Sequence, residues 1–131
     1  MDDCIFCKIA SRQIPADIFY EDENSVAFLD IKPINPGHTL IVPKKHVDHF
    51  FDVPQPLYGQ MFDVARLLAP ILKEAMGTTR TGLAIEGFGI AHAHLHLVPI
   101  NHGHELNPER AKPATPEELN KVRDEIKKRL H

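Results

Sequence analysis

The run His92-Ala93-His94-Leu95-His96-Leu97-Val98 decides how this chain is read. Histidine alternates with an apolar residue three times, and one more apolar residue closes the run. A period of two is strand periodicity. The pattern therefore predicts a strand with three imidazoles on one face and Ala93, Leu95 and Leu97 turned into a core. Imidazoles serve near neutral pH as nucleophiles, proton carriers or metal ligands. Strand geometry narrows the choice. His92 and His96 lie roughly 13 Å apart at about 3.3 Å per residue, whereas zinc needs each ligand near about 2 Å. Three histidines along one flat strand do not converge on one ion, so the run predicts a division of labour.

Outward from this run, Ile18 to Tyr20 and Val26 to Asp30 read as two strands joined by the polar turn Glu21-Asp22-Glu23-Asn24. Pro33-Ile34-Asn35-Pro36-Gly37 breaks the pattern, and His38 to Val42 resumes it as a third strand that stops at Pro43. Leu57, Met61, Val64, Leu68 and Leu72 form one helical stripe, which predicts the main helix over Leu57 to Met76 with Gly77 as its C-terminal cap. Pro70 inside that stripe predicts a kink or a break. Thr81 to Ile85 reads as a fourth strand, and Gly87-Phe88-Gly89 as a flexible corner before the histidine strand. Asn101 to Pro116 reads as a long loop. Thr115, Pro116 and Glu118 carry the signature of a capping box at the start of a last helix. Its Glu117–Lys121, Asp124–Lys128 and Glu125–Arg129 pairs predict a solvated face. This order of elements predicts an α+β fold, with an antiparallel sheet of about five strands, one long helix and a C-terminal helix. It is read as a single domain over 1–131, with 1–100 as its core and 101–131 as a loop and helix.

Composition bounds the function. The 131 residues are 43% hydrophobic, enough for a core without disulfide staples. A net charge of −3 gives no reason to expect nucleic-acid binding through a broad basic surface. No apolar run reads as a membrane span or an export signal, and with two cysteines this predicts a reducing, cytoplasmic setting. Cys4 and Cys7, spaced Cys-x-x-Cys with histidines far away in sequence, suit a structural zinc site. The same pair also reads as two small buried thiols, while a redox pair lacks its βαβ context. Asp30, between an apolar strand and a turn, either caps that turn or binds sugar hydroxyls.

Taken together, these motifs resemble the histidine triad (HIT) superfamily, whose mark is His-φ-His-φ-His-φ-φ with φ apolar. His92 to Val98 matches every position. Cys4-Ile5-Phe6-Cys7-Lys8-Ile9, Ala27-Phe28-Leu29-Asp30-Ile31 and Gly37-His38-Thr39-Leu40-Ile41-Val42-Pro43-Lys44 are similar to the small bacterial branch. The resemblance implies a HIT-like fold and a nucleotide-binding hydrolase or nucleotidyl transferase that works at an α-phosphate. His94 matches the nucleophile, which would form a nucleotidyl-histidine that water resolves. His38 and His96 match phosphate contacts, and His38 on its own also reads as a turn histidine. Asp30 would hold the ribose hydroxyls. Ile5, Phe6, Ile9, Phe28, Leu29 and Ile31 match positions around a base pocket, although all six also read as core. The backbone amide of Gly89 is left to face an anion.

The resemblance further implies a structural Zn2+ on Cys4, Cys7, His46 and His92, with His49 as the second choice to His46. It implies a purine nucleotide or nucleotide conjugate as partner, no nucleic acid, no membrane, and a homodimer joined through the long helix and the fourth strand. Nucleoside phosphoramidates, aminoacyl adenylates and dinucleoside polyphosphates are the candidate substrates. The pattern departs from the family just before the triad. A glutamine followed by a hydroxyl residue is usual there, and this chain has Glu86-Gly87-Phe88-Gly89. Phe88 has no hydrogen-bond donor and Gly89 offers only its backbone. That departure supports a rival reading, a non-catalytic purine-nucleotide-binding or scaffold protein. A zinc hydrolase is a third reading, and four protein ligands would leave its metal no open position.

Overall fold

Val26, Phe28, Leu40 and Val42 face one side of a sheet, and Ala27, Leu29 and Ile41 face the other, all of them buried. Continuous burial of this kind needs cover on both faces, and the architecture supplies it. The structure is a computed structural model and describes residues 3–130. Its elements are α1 (Ile5–Ala10), β1 (Ile18–Glu21), β2 (Ser25–Leu29), β3 (Thr39–Pro43), α2 (Leu57–Met76), β4 (Arg80–Ala84), β5 (Leu95–Ile100) and α3 (Pro116–Lys127). The five strands form one antiparallel sheet in the order β1-β2-β3-β5-β4. Among the described residues, no helix is long and apolar enough to cross a membrane.

On one face, Ala27, Leu29, Ile41, Leu95 and Leu97 pack against Met61, Val64, Ala65, Leu68 and Leu72 of α2. Leu119 and Ile126 of α3 complete that cluster, so the core reaches beyond residue 100. On the other face, Val26, Phe28, Leu40 and Val42 pack against Phe6 and Ile9 of α1. Leu40 of β3 pairs with His96 of β5, which sets His96 on the α1 face of the sheet.

Three expectations change. The histidine strand begins only at Leu95, because the backbone of 92–94 is committed elsewhere. Ala93 N–H donates to the Val47 carbonyl at 2.6 Å, and the His92 carbonyl accepts from the His94 ring. Helix α2 runs through Pro70 without a break. Pro70 is exposed, so the Arg66 carbonyl it cannot satisfy is left to water. The Thr81 hydroxyl donates to the neighbouring Ala69 carbonyl at 2.7 Å and ties the helix to β4. Residues 101–115 form the expected loop, tied back where Lys112 and Ala114 donate their amides to the carbonyls of Pro33 and Ile31. In α3 the Thr115–Glu118 capping box forms, and Lys128 pairs with Glu125 rather than with Asp124.

Gly37 brings the chain into β3 just ahead of His38. Its φ is +90°, and an added Cβ would lie 2.7 Å from Met76 Cγ and 2.9 Å from Pro99 Cγ. Gly77 also has a positive φ, of +67°, but an added Cβ there would meet nothing within 4 Å. Gly77→Ala is therefore expected to cost about 1–2 kcal/mol of stability from backbone strain. Gly37→Ala should cost about 1–3 kcal/mol beyond that from the clash. Urea unfolding of the two variants side by side measures the difference.

Candidate active site and metal centre

Four donors meet where α1 touches the end of the sheet. Cys4 is the N-cap of α1, its sulfur accepting from the Cys7 amide, and Cys7 lies one turn further on. This places both sulfurs at the same helix end. Cys4 Sγ and Cys7 Sγ lie 3.3 and 3.4 Å from His92 Nδ1, and Cys7 Sγ lies 3.2 Å from His46 Nδ1. All four donor atoms fall within 4.8 Å of one another. Zinc bond lengths in a tetrahedron require sulfur–nitrogen separations of roughly 3.5 Å. The fully buried His92 donates its Nε2–H to the Pro43 carbonyl at 2.8 Å, so its lone pair is on Nδ1 and faces the sulfurs. Burial, and then the adjacent Cys4, push the Cys7 thiol up, while burial pushes His92 down. A cation at the centre would favour the thiolates that these surroundings disfavour. The donor set fits zinc. His49 is exposed, near Asp48, and outside this cluster.

His94 lies next along the chain and is buried. Its Nδ1–H donates to the His92 carbonyl at 2.7 Å, which leaves the lone pair on Nε2. Phe6 of α1 packs edge-on against the ring at 5.2 Å, and the His96 ring lies 5.1 Å away.

A chain of hydrogen bonds continues through His96. The Ile34 amide donates to His38 Nδ1 at 3.0 Å, so the His38 proton is on Nε2. That proton is donated to His96 Nδ1 at 2.9 Å, which leaves His96 with its own N–H on Nε2. Burial, then the charges of His38 and His94, hold His96 down to about 4. Burial also lowers His38, against the pull of Asp30, whose Oδ2 is 3.7 Å from His38 Nε2. Both rings are therefore neutral at pH 7 and act as N–H dipoles rather than cations. Asp30, His38 and His96 are close enough to suggest a second metal site. The Ile34 amide argues against it, because it fixes a proton on the His38 nitrogen that would have to bind the ion.

A cavity of about 430 Å³ opens beside this pair, with Asp30, His38, His96 and Gly89 in its wall. The candidate base-pocket residues divide into three groups. Phe6, Ile9 and Phe28 are buried together under α1, while Ile5 and Ile31 are 42% and 71% exposed. Leu29 is not brought to the histidine face. It packs on the α2 side and borders a cavity of about 610 Å³ beside α3, which has Asp30, Ile34 and His38 in its wall as well. The sequence reading missed Ile34, which acts through its backbone and so leaves no side-chain signal. It also missed Leu106 and Ala111 in the 430 Å³ wall. The Asn107-Pro108 cap of the short helical turn Pro108–Arg110 was a visible sign of order there.

Residues 11–103 match the HIT domain family. The chain belongs to that family. An uncharacterized HIT-like protein of Methanocaldococcus jannaschii is 38% identical over 76% of this chain and 81% of its own length. The adenosine 5'-monophosphoramidase HNT1 of Saccharomyces cerevisiae is 36% identical over 73% of this chain and 61% of its own length. The crystal structure of a zinc-bound histidine triad family protein from Mycobacterium smegmatis superposes with a TM-score of 0.83 at 30% identity, covering 97% of this chain and 92% of that one.

His96 takes its proton near pH 6.5 when unfolded and near 4 when folded. Its contribution to stability is thus complete above 6.5 and is lost as the pH falls from there toward 4, by up to about 3 kcal/mol. Urea unfolding at pH 7.5 and at pH 4.5 should show that loss. His96→Asn should show a smaller one.

Proposed function

We propose that the protein is a nucleotide hydrolase or nucleotidyl transferase that acts at an α-phosphate through His94. The hydrogen bond from His94 Nδ1–H to the His92 carbonyl carries this reading, because it aims a neutral lone pair outward from a fixed ring. Nε2 attacks phosphorus, the bond from phosphorus to the leaving group breaks, and a nucleotidyl-histidine forms. Water then attacks phosphorus, the P–N bond to His94 breaks, and the nucleoside monophosphate leaves. Two easier displacements replace one hard one. The His96 Nε2–H donates to a phosphoryl oxygen where charge develops. Both His38 nitrogens are already engaged, so His38 acts on phosphate through His96. The Gly89 amide is a second donor to phosphate, and Asp30 takes the ribose hydroxyls. A purine lies against Ile5 and Ile31, over the buried cluster of Phe6, Ile9 and Phe28. The named activity of the yeast relative supports this reading.

Cys4, Cys7, His46 and His92 hold a structural Zn2+ in the same reading, supported by the fit of the donors and by the zinc-bound relative. With four protein ligands the ion cross-links α1 to the sheet and offers water no position. Reduced cysteines suit a cytoplasmic setting. Two chains pair through β4, which lies at an edge of the sheet, and through α2, where Leu83 and Leu67 are exposed. The rival non-catalytic reading rests on Phe88, which is exposed and has no donor.

Intact mass spectrometry after mixing with an activated adenylate tests the enzyme reading. The wild type should gain a transient adenylyl mass, and His94→Ala should gain none while still binding adenosine monophosphate. Turnover should fall by on the order of 10³-fold or more. Equal binding with no adduct in either protein would leave the binding module as the better account.

Atomic emission should find one zinc per chain in the wild type and none in Cys7→Ser. The variant's melting temperature should drop by several degrees, with activity reduced but not abolished below it.

Sedimentation should show Leu83→Arg as a monomer at concentrations where the wild type is a dimer.

A further inference from the structure

The turn from Pro33 to His38 carries the Ile34 amide that fixes the His38 proton, and it is a thin wall. The 430 Å³ cavity lies on one side, bordered by Ile34 and His38. The 610 Å³ cavity beside α3 lies on the other, bordered by every residue from Pro33 to His38. The Gly37 end of the turn is close-packed between Met76 and Pro99. At the Ile34 end, open space on both sides leaves the backbone to be held by hydrogen bonds. Asn35 makes them. Its Nδ2 donates to the Pro99 carbonyl of β5 at 2.8 Å, and its Oδ1 accepts from Arg110 Nη2 at 3.2 Å. Its own carbonyl accepts from the His38 amide at 3.1 Å. Turned over, the side-chain amide would set its oxygen against a carbonyl and its NH2 against a guanidinium, so the two partners fix its orientation. Arg110 is held in turn by the Glu105 carbonyl, to which its Nη1 donates at 3.2 Å.

We propose that Asn35, anchored by Arg110, is a positioning residue that keeps the proton order of the His38–His96 pair. The inference rests on the reading of His96 as the donor to phosphate. With the Ile34 amide at His38 Nδ1, His38 can carry its proton only on Nε2. His96 must then accept at Nδ1 and keep its own proton on Nε2. If the Ile34 amide swings away, the pair can reverse. His38 protonated at Nδ1 accepts at Nε2 from a His96 Nδ1–H. Each ring still carries one proton, but His96 then turns a lone pair to phosphate in place of a donor. With the turn in place this order is forbidden, because it sets the His38 Nδ1–H against the Ile34 N–H. Asn35 ties the turn to β5 and to the 101–115 loop at once, and so keeps that N–H where it acts.

The test uses the full chain at pH 7.5, where both rings are neutral. Heteronuclear NMR of the imidazole nitrogens reports which nitrogen of each ring carries the proton. Wild type should show His38 and His96 protonated on Nε2 alone. Asn35→Ala and Arg110→Met should each move both rings toward protonation on Nδ1 and leave His94 as it was. With adenosine 5′-phosphoramidate as substrate, kcat should fall about tenfold in Asn35→Ala, less than the loss of a whole transition-state donor, with KM within about twofold. Arg110→Lys, which can still donate to Asn35 Oδ1, should recover most of the rate lost in Arg110→Met. A role in stability alone would lower the melting temperature and leave the ring protons of the folded protein in place, and that result overturns the proposal. A shifted ring pair with an unchanged kcat overturns it as well. Failure of the underlying reading looks different: wild type then turns over no phosphoramidate, and the spectra alone decide whether Asn35 sets the protons. Arg110 is exposed, so its variants are expected to fold even where Asn35→Ala does not, and circular dichroism checks this.

Discussion

The Pro43 carbonyl, the His92 carbonyl and the Ile34 amide set the protons on four imidazoles. An imidazole has two nitrogens, and a backbone partner on one decides what the other can do. The Pro43 carbonyl takes the Nε2 proton of His92 and turns its lone pair to the sulfurs. The His92 carbonyl takes the Nδ1 proton of His94 and frees Nε2. The Ile34 amide occupies Nδ1 of His38 and sends its remaining proton to His96. Three of these four rings come from a seven-residue run of uniform pattern, yet backbone carbonyls hold His92 and His94 by opposite nitrogens and another imidazole holds His96. The early end of β5 makes this arrangement possible. Had 92–94 stayed in the ladder, the His92 carbonyl would have been spent on a strand bond.

The covered sheet supports these bonds from both sides. Helix α2 closes one face with an apolar stripe, which leaves the other for α1 and the histidines. Helix α1 is only six residues long and would be marginal alone. It is held by Phe6 and Ile9 at its buried face and by the two cysteines at its N-terminal end. Phe6 reaches Phe28, His92 and His94 at ring distances of 5.6, 5.9 and 5.2 Å. One side chain thus braces the core, the candidate metal centre and the candidate nucleophile.

Much of this was legible in the sequence, for identifiable reasons. Helix α2 spans Leu57–Met76 as its apolar stripe predicts, because twenty residues of one period outweigh one exposed proline. The α3 capping box was legible because its partners are three residues apart. The Cys-x-x-Cys pair and the triad pointed to chemistry through spacing alone. Long-range backbone partners were not legible. Nothing in the sequence says that Ala93 bonds to Val47, or that Ile34 bonds to His38. Leu29 and Phe28 stand on opposite faces of the sheet, as alternation requires, and a motif read as a block hides that alternation.

Through this brace a metal on the four donors would be coupled to the candidate nucleophile. Zinc on Cys4 and Cys7 would fix the N-terminal end of α1, and α1 carries Phe6, which limits how the His94 ring can turn. The ion would then act on His94 through orientation, with no part in the chemistry at phosphorus. A closed, four-ligand site suits that role, because orientation needs rigidity and gains nothing from an open coordination position. His92 belongs to both arrangements. Its ring faces the sulfurs and its carbonyl faces His94, so a shift of its ring toward a metal would be passed directly to the bond that holds the candidate nucleophile.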